Sequence, residues 1–158
     1  MAPENAPDVI CENRRARFHY EFLDFYEGGL VLEGPEVKSL RRGGGQLNEA
    51  YAHFSRGEMW LIGAHIAPYA HARTAVYGDA YDPRRSRKLL LHASEIKKIR
   101  QMIDTQGLTL VPLRLFWQRG RVKVALAVAR GKKTVDKRET IKRRDEARAV
   151  ARIFKGRT

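Results

Sequence analysis

The chain has 158 residues, with 31 Lys or Arg against 18 Asp or Glu and a formal net charge of +13. That length fits one domain with extensions, and the charge calls for an acidic partner, RNA or DNA ahead of an anionic membrane. Apolar runs are only a few residues long, which excludes a membrane-spanning helix, and the single cysteine, Cys11, excludes a disulfide framework.

Residues 1–12 read as a disordered leader, with Pro3, Pro7 and Asn5 among acids and little to bury. With neither a basic n-region nor an apolar h-region, the leader is not expected to be a secretory signal, and a cytoplasmic protein fits. Order is expected from Asn13. Phe18, Tyr20 and Phe22 alternate with His19 and Glu21, the period of a half-buried strand. Gly28-Gly29 reads as a turn, with residues 30–32 starting a returning strand.

A short helix follows. Gly34 is its expected N-cap, Pro35 its first residue and Glu36 an acid in its first turn. Arg41 and Arg42 lie in its last turn, and Gly43-Gly44-Gly45 ends it. Val37 and Leu40 face inward at i, i+3; Lys38 and Arg41 share another face. Residues 50–54 and 59–66 read as strands joined at Arg56-Gly57. Residues 71–87 form a long irregular loop. Ser94 caps a helix with Ile96, Ile99, Met102 and Ile103 on one face, and Gly107 stops it.

The clearest hairpin closes the domain. Leu108, Leu110, Leu113, Leu115 and Trp117 alternate up to a turn at residues 118–121, and Val122, Val124, Leu126 and Val128 return. Pro112 marks an edge position or a bulge where the phase shifts. About six short antiparallel strands with flanking helices favour a mainly β fold, an OB-like barrel first and an open α+β sheet second. Residues 13–130 form this domain. Residues 131–158 are a basic tail with a sparse helical stripe at Ile141, Ala147, Val150, Ala151 and Phe154, disordered when free and ordered on RNA. From Arg130 to the end, twelve Lys or Arg face four Asp or Glu.

No pattern here argues for an enzyme. Gly43-Gly44-Gly45 lacks the Lys-Ser/Thr of a phosphate-cradling loop. His65 and His71 have no common metal spacing, so neither metal nor cofactor is expected. Three basic groups can reach phosphates: Arg14, Arg15 and Arg17; Lys38, Arg41 and Arg42; and Arg84, Arg85, Arg87 and Lys88. Tyr69 and Tyr77 are candidate stacking platforms, whereas Tyr51, Phe54, Trp60 and Trp117 suit core positions.

Six ordered blocks carry a resemblance. They are Asn13-Arg14-Arg15-Ala16-Arg17; Tyr26-Glu27-Gly28-Gly29; Gly34-Pro35-Glu36-Val37-Lys38-Ser39-Leu40-Arg41; His65-Ile66-Ala67-Pro68-Tyr69; Asp82 through His92; and Gly131 through Arg138. In these the chain resembles the tmRNA-binding protein family (SsrA-binding protein, small protein B), from Asn13 to about Arg148. The resemblance implies an OB-like barrel that binds the tRNA-like domain of tmRNA. It also implies delivery of that RNA to ribosomes stalled without a codon in the A site. Elongation factor Tu and alanyl-tRNA synthetase are then indirect partners through tmRNA, small-subunit rRNA is a direct one, and the protein acts as a monomer. The tail would lie in the decoding centre and empty mRNA channel.

Residue by residue, the resemblance implies a tmRNA-facing group of Asn13, Arg15, Glu27, Lys38, Ser39, Arg41, Arg84, Arg87, Lys88 and Leu89. It implies a decoding-centre group of Gly131, Lys132, Lys133, Val135, Asp136, Lys137, Arg138, Lys142, Arg143 and Arg144. Pro35 stands where Thr is common, and Val135 where many relatives carry Tyr or His. A valine neither stacks like an aromatic ring nor donates a hydrogen bond. Two other readings differ in partner or class: an OB-fold ribosomal or initiation protein that binds rRNA alone, and a metal-dependent nuclease using Asp79 and Asp82.

Overall fold

The computed structural model describes residues 8–69, 81–132 and 148. The strands are β1 (Asp8–Glu12), β2 (Tyr20–Leu30), β3 (Gly45–Gln46), β4 (Tyr51–Ser55), β5 (Glu58–Ile62), β6 (His65–Ile66), β7 (Arg87–Leu90), β8 (Thr109–Gln118) and β9 (Arg121–Gly131). The helices are α1 (Ala16–His19), α2 (Gly34–Arg41) and α3 (Ala93–Gln106). Six strands close a ring in the order β8-β4-β5-β7-β2-β9, with β9 pairing back onto β8. The ring is the expected OB-like barrel. β1 lies beside β8, and β3 and β6 make a separate two-stranded ribbon.

The barrel closes because each long strand alternates. Leu110, Leu115, Val124, Leu126 and Val128 are at most 1% exposed and fill the interior with Leu61 and Leu89. Ile99 of α3 is fully buried, and Ile96, Met102 and Ile103 pack on the same core. Gly107 ends α3 in the left-handed conformation, φ 63°, which a residue without Cβ adopts at little cost. The register of β8 against β9 shifts between Pro112 and Arg114, the bulge that Pro112 signals.

Several expectations are corrected: Phe18 and His19 lie in α1 instead of a strand, and His92, not Ser94, is the N-cap of α3. Residues 8–12 form β1 instead of a disordered leader, because Ile10 and Cys11 pack on the core while the strand pairs with β8. Gly28-Gly29 makes no turn; both lie inside β2. Their role is close approach, since a Cβ on Gly28 would meet the Leu91 side chain at 3.1 Å and the Leu90 carbonyl at 3.2 Å. Helix α2 begins one residue early, with Glu33 as N-cap. Glu33 and Glu36 form a capping box that the Gly34-Pro35 signal hides. Tyr51 is 48% exposed rather than core, because it stands on the outer face of β4.

Candidate nucleic-acid interface

The three sequence-adjacent basic groups do not share one fate. Glu36, 1% exposed, draws part of the third group inward. Its carboxylate accepts from Arg85 Nη2, from Arg87 Nε at 2.7 Å and from the Tyr81 hydroxyl at 3.2 Å. Arg85 Nε at 3.3 Å and the Glu33 N–H at 3.0 Å bring the count to five. Arg87 also donates to the carbonyls of Ala64 (2.9 Å), Arg85 (3.1 Å) and Pro83 (3.0 Å). A buried charge persists only when paired and hydrogen-bonded to this degree. Burial pushes the Glu36 carboxyl up. Hydrogen bonds from Arg85 and the Glu33 N–H, with the charge of Arg87, outweigh it and hold the group below its ordinary 4.5. The node ties α2 to β7 and to the 81–86 segment.

Arg87 therefore cannot face RNA as expected, and neither can Leu89 or Ser39, which are 0%, 1% and 4% exposed. Leu89 points into the barrel, and the next residue, Leu90, stands out at 52% exposure. Strand alternation makes the choice between neighbours, and three consecutive leucines conceal it. Arg84 and Lys88 stay at the surface but are ion-paired, to Glu49 at 2.8 Å and to Glu58 at 3.0 Å.

Helix α2 offers its cations outward. Lys38 Nζ lies 5.7 Å and the Arg42 guanidinium 5.2 Å from the Tyr69 ring centroid, and Arg41 lies 5.3 Å from that of Trp117. Cations held over aromatic faces are positioned without being neutralised.

The outer face of β2, β9 and β8 gathers the rest. Glu27 stands opposite Ala125, and Gly29 opposite both Lys123 and Leu90. Ala127 and Ala129 are buried on this face, Ala129 in a small second core with Ala16 and Val111 that Tyr20, Phe22 and Leu113 pack against. Beside them opens a cleft of about 920 Å³, lined by Asn13, Arg14, Arg17, Phe25, Glu27 and Arg114 among others. Asn13 is fixed there by its backbone N–H to Leu113 O at 2.7 Å and its Nδ2 to Pro112 O at 3.1 Å. Its Oδ1 and Arg114 Nε are buried with no hydrogen-bond partner among the described residues. Such atoms call for a ligand or water. Elsewhere on β2, the Tyr26 hydroxyl donates to Asp24 at 2.7 Å; burial first, then that bond, push the phenol up to about 12.

The structure thus brings Asn13 and Glu27 together and leaves Arg15 exposed at the start of α1. Sequence reading missed Arg114, Lys123, Phe25 and Leu90. Lys123 carried a signal as the cation set between Val122 and Val124 of β9; Arg114 depends on the bulge and carried none. Gly131 closes β9 opposite Tyr20. Lys132 donates its N–H to His19 O at 2.9 Å and its Nζ to Arg17 O at 2.7 Å. These first two tail positions belong to the barrel. Lys133, Val135, Asp136, Lys137, Arg138, Lys142, Arg143 and Arg144 lie outside the described residues, as do Tyr77 and Asp79. Asp82 accepts from the Arg84 N–H at 2.9 Å. Among the described residues no group of three His, Cys, Asp or Glu could hold a metal ion, and no helix is long and apolar enough to cross a membrane.

Known proteins resemble this chain over most of its length. Residues 10–156 match the family model described as SmpB protein. The SsrA-binding protein of Trichodesmium erythraeum (strain IMS101) is 51% identical over 149 residues, covering 93% of this chain and 92% of the relative. That of Synechococcus sp. (strain JA-3-3Ab) is 49% identical over 157 residues, covering 99% and 100%. A solved chain from "tmRNA-SmpB: a journey to the center of the bacterial ribosome" superposes with a TM-score of 0.63 at 47% identity, covering 78% of this chain and 85% of that one.

Proposed function

The chain belongs to the SmpB protein family, and on that premise we propose that it is an RNA-binding factor of trans-translation. It binds the tRNA-like domain of tmRNA, the SsrA RNA for which its relatives are named, and brings it to stalled ribosomes. The observation that carries this reading is the cleft beside β2, β9 and β8. There Asn13, Glu27 and Arg114 converge beside Arg14 and Arg17. An acid on a basic RNA face hydrogen-bonds to base amino or imino groups or orients an arginine; the cations take phosphates. Lys38, Arg41 and Arg42 extend the footprint along α2. Arg87, Leu89 and Ser39 support it from within.

In this reading the residues after Lys132 act on the ribosome. Lys133, Asp136, Lys137, Arg138 and the Lys142-Arg143-Arg144 run lie against small-subunit rRNA at the decoding centre and in the empty mRNA channel. The protein works as a monomer in the cytoplasm. Elongation factor Tu and alanyl-tRNA synthetase meet it only through tmRNA, and no catalytic step is asked of it.

The test separates the two ends. A chain ending at Lys132 keeps β9 and its anchor and should bind the isolated tRNA-like domain nearly as well as the full chain. It should fail to support peptide tagging on stalled ribosomes. Glu27→Ala in the full chain should weaken binding to the isolated domain. Loss of domain binding on truncation would contradict the division of labour.

A further inference from the structure

Phe25 presents its ring on β2 at 63% exposure. A lone exposed apolar side chain needs no explanation, but three observations set this one apart. First, a register shift between Phe22 and Asp24 rephases β2, so that Phe22 and Phe25, opposite Ala129 and Ala127, stand on one face. Second, Phe22 holds the ring edge-to-face, centroids 6.1 Å apart and planes at 77°. Third, both rings line the cleft with Glu27, Arg114 and Asn13. There the Asn13 Oδ1 and Arg114 Nε are the buried atoms lacking a protein partner.

An apolar peptide side chain would cover Phe25 and desolvate the neighbouring Glu27 carboxylate and Arg114 guanidinium without pairing them. A nucleobase offers a flat face and a hydrogen-bonding edge together. We propose that the cleft is a pocket for one unpaired guanine, stacked on Phe25. Its N1–H and N2–H groups meet two acceptors, the oxygens of the Glu27 carboxylate, and its O6 or N7 faces a donor, the guanidinium of Arg114. Adenine and the pyrimidines do not offer that edge to two acceptors and one donor. Arg14 and Arg17 at the rim take the flanking phosphates. This deepens the proposed RNA-binding reading and rests on it.

The experiment is kethoxal probing, which modifies guanines at N1 and N2, on the tRNA-like domain of tmRNA with and without the full chain. Anisotropy titrations run alongside. The wild-type chain should protect an unpaired guanine. Phe25→Ala and Phe25→Leu should lose that protection and weaken binding by about 5- to 150-fold, the loss of one stacked base. Phe25→Tyr and Phe25→Trp should retain both. Glu27→Gln should lose the protection with Phe25 intact. Thermal melts check that the Phe25 variants remain folded.

Wild-type affinity and footprint in Phe25→Ala and Phe25→Leu would overturn the pocket while leaving tmRNA binding intact. If the wild-type chain does not bind the domain, the tmRNA reading fails, and short unpaired RNAs decide on the pocket. A preference for UUGUU over UUAUU that vanishes in Phe25→Ala keeps it; equal binding removes it.

Discussion

Glu36 and Arg87 meet 2.6 Å apart inside the protein, 1% and 0% exposed. One residue belongs to α2 and the other to β7, so this ion pair ties the helix to the barrel. Removing one partner leaves the other charge buried and unpaired, which costs about 3–5 kcal/mol. Arg87→Ala should therefore lower the urea midpoint sharply, and Glu36→Gln should do so less, since the amide still accepts hydrogen bonds. Replacing both residues with apolar ones of similar volume should be milder than Arg87→Ala alone. Equal midpoints for wild type and Arg87→Ala would refute the role.

The same node sets an acid limit. The Glu36 carboxyl titrates below its ordinary 4.5 in the folded protein. The unfolded chain then binds the proton more readily. The stabilisation is complete above about pH 4.5 and is lost as pH falls from there through the depressed folded value. Urea midpoints between pH 7 and pH 3 should fall over that range. In Glu36→Gln this part of the fall should be absent; an identical pH profile would assign the acid limit to other carboxylates.

Two glycines with positive φ separate conformation from contact. Gly57 (φ +79°) has nothing within 4 Å of an added Cβ, whereas at Gly63 (φ +78°) the Cβ would stand 2.8 Å from Glu49 O. Gly57→Ala should cost about 1–2 kcal/mol, the left-handed penalty alone. Gly63→Ala should cost more, because a backbone carbonyl cannot move aside like a side-chain tip. Chemical denaturation of the two variants orders them.

RNA binding should be steeply salt-dependent. With about four to six phosphates neutralised, log affinity falls against log salt with a slope near −3 to −5. Arg14→Ala with Arg17→Ala should make that slope shallower by roughly 1 to 2. A flat response in the wild type would argue against an electrostatic interface.

Most of the barrel was legible because its signals are local. The alternation of β8 and β9, the Pro112 bulge and the Gly107 stop all appear where their residues predict them. The Gly28-Gly29 pair misled because glycine serves turns and close approach alike, and only the Leu90 and Leu91 neighbours decide between them. β1 was invisible because its stability is borrowed from β8. At the interface, Asn13 and Glu27 were named through the family pattern. The same pattern placed Arg87 and Leu89 outside, because a sequence match says nothing of strand phase. Phe25 and Arg114 meet at one cleft only once β2, β8 and β9 pair.

The most direct measurement is sequencing of the RNA that co-purifies with the tagged full chain from its own cells at moderate salt. Strong enrichment of one RNA with tRNA-like ends and a short internal reading frame, reduced in Glu27→Ala, is the predicted result. Broad recovery of ribosomal RNA without that species would contradict the tmRNA assignment.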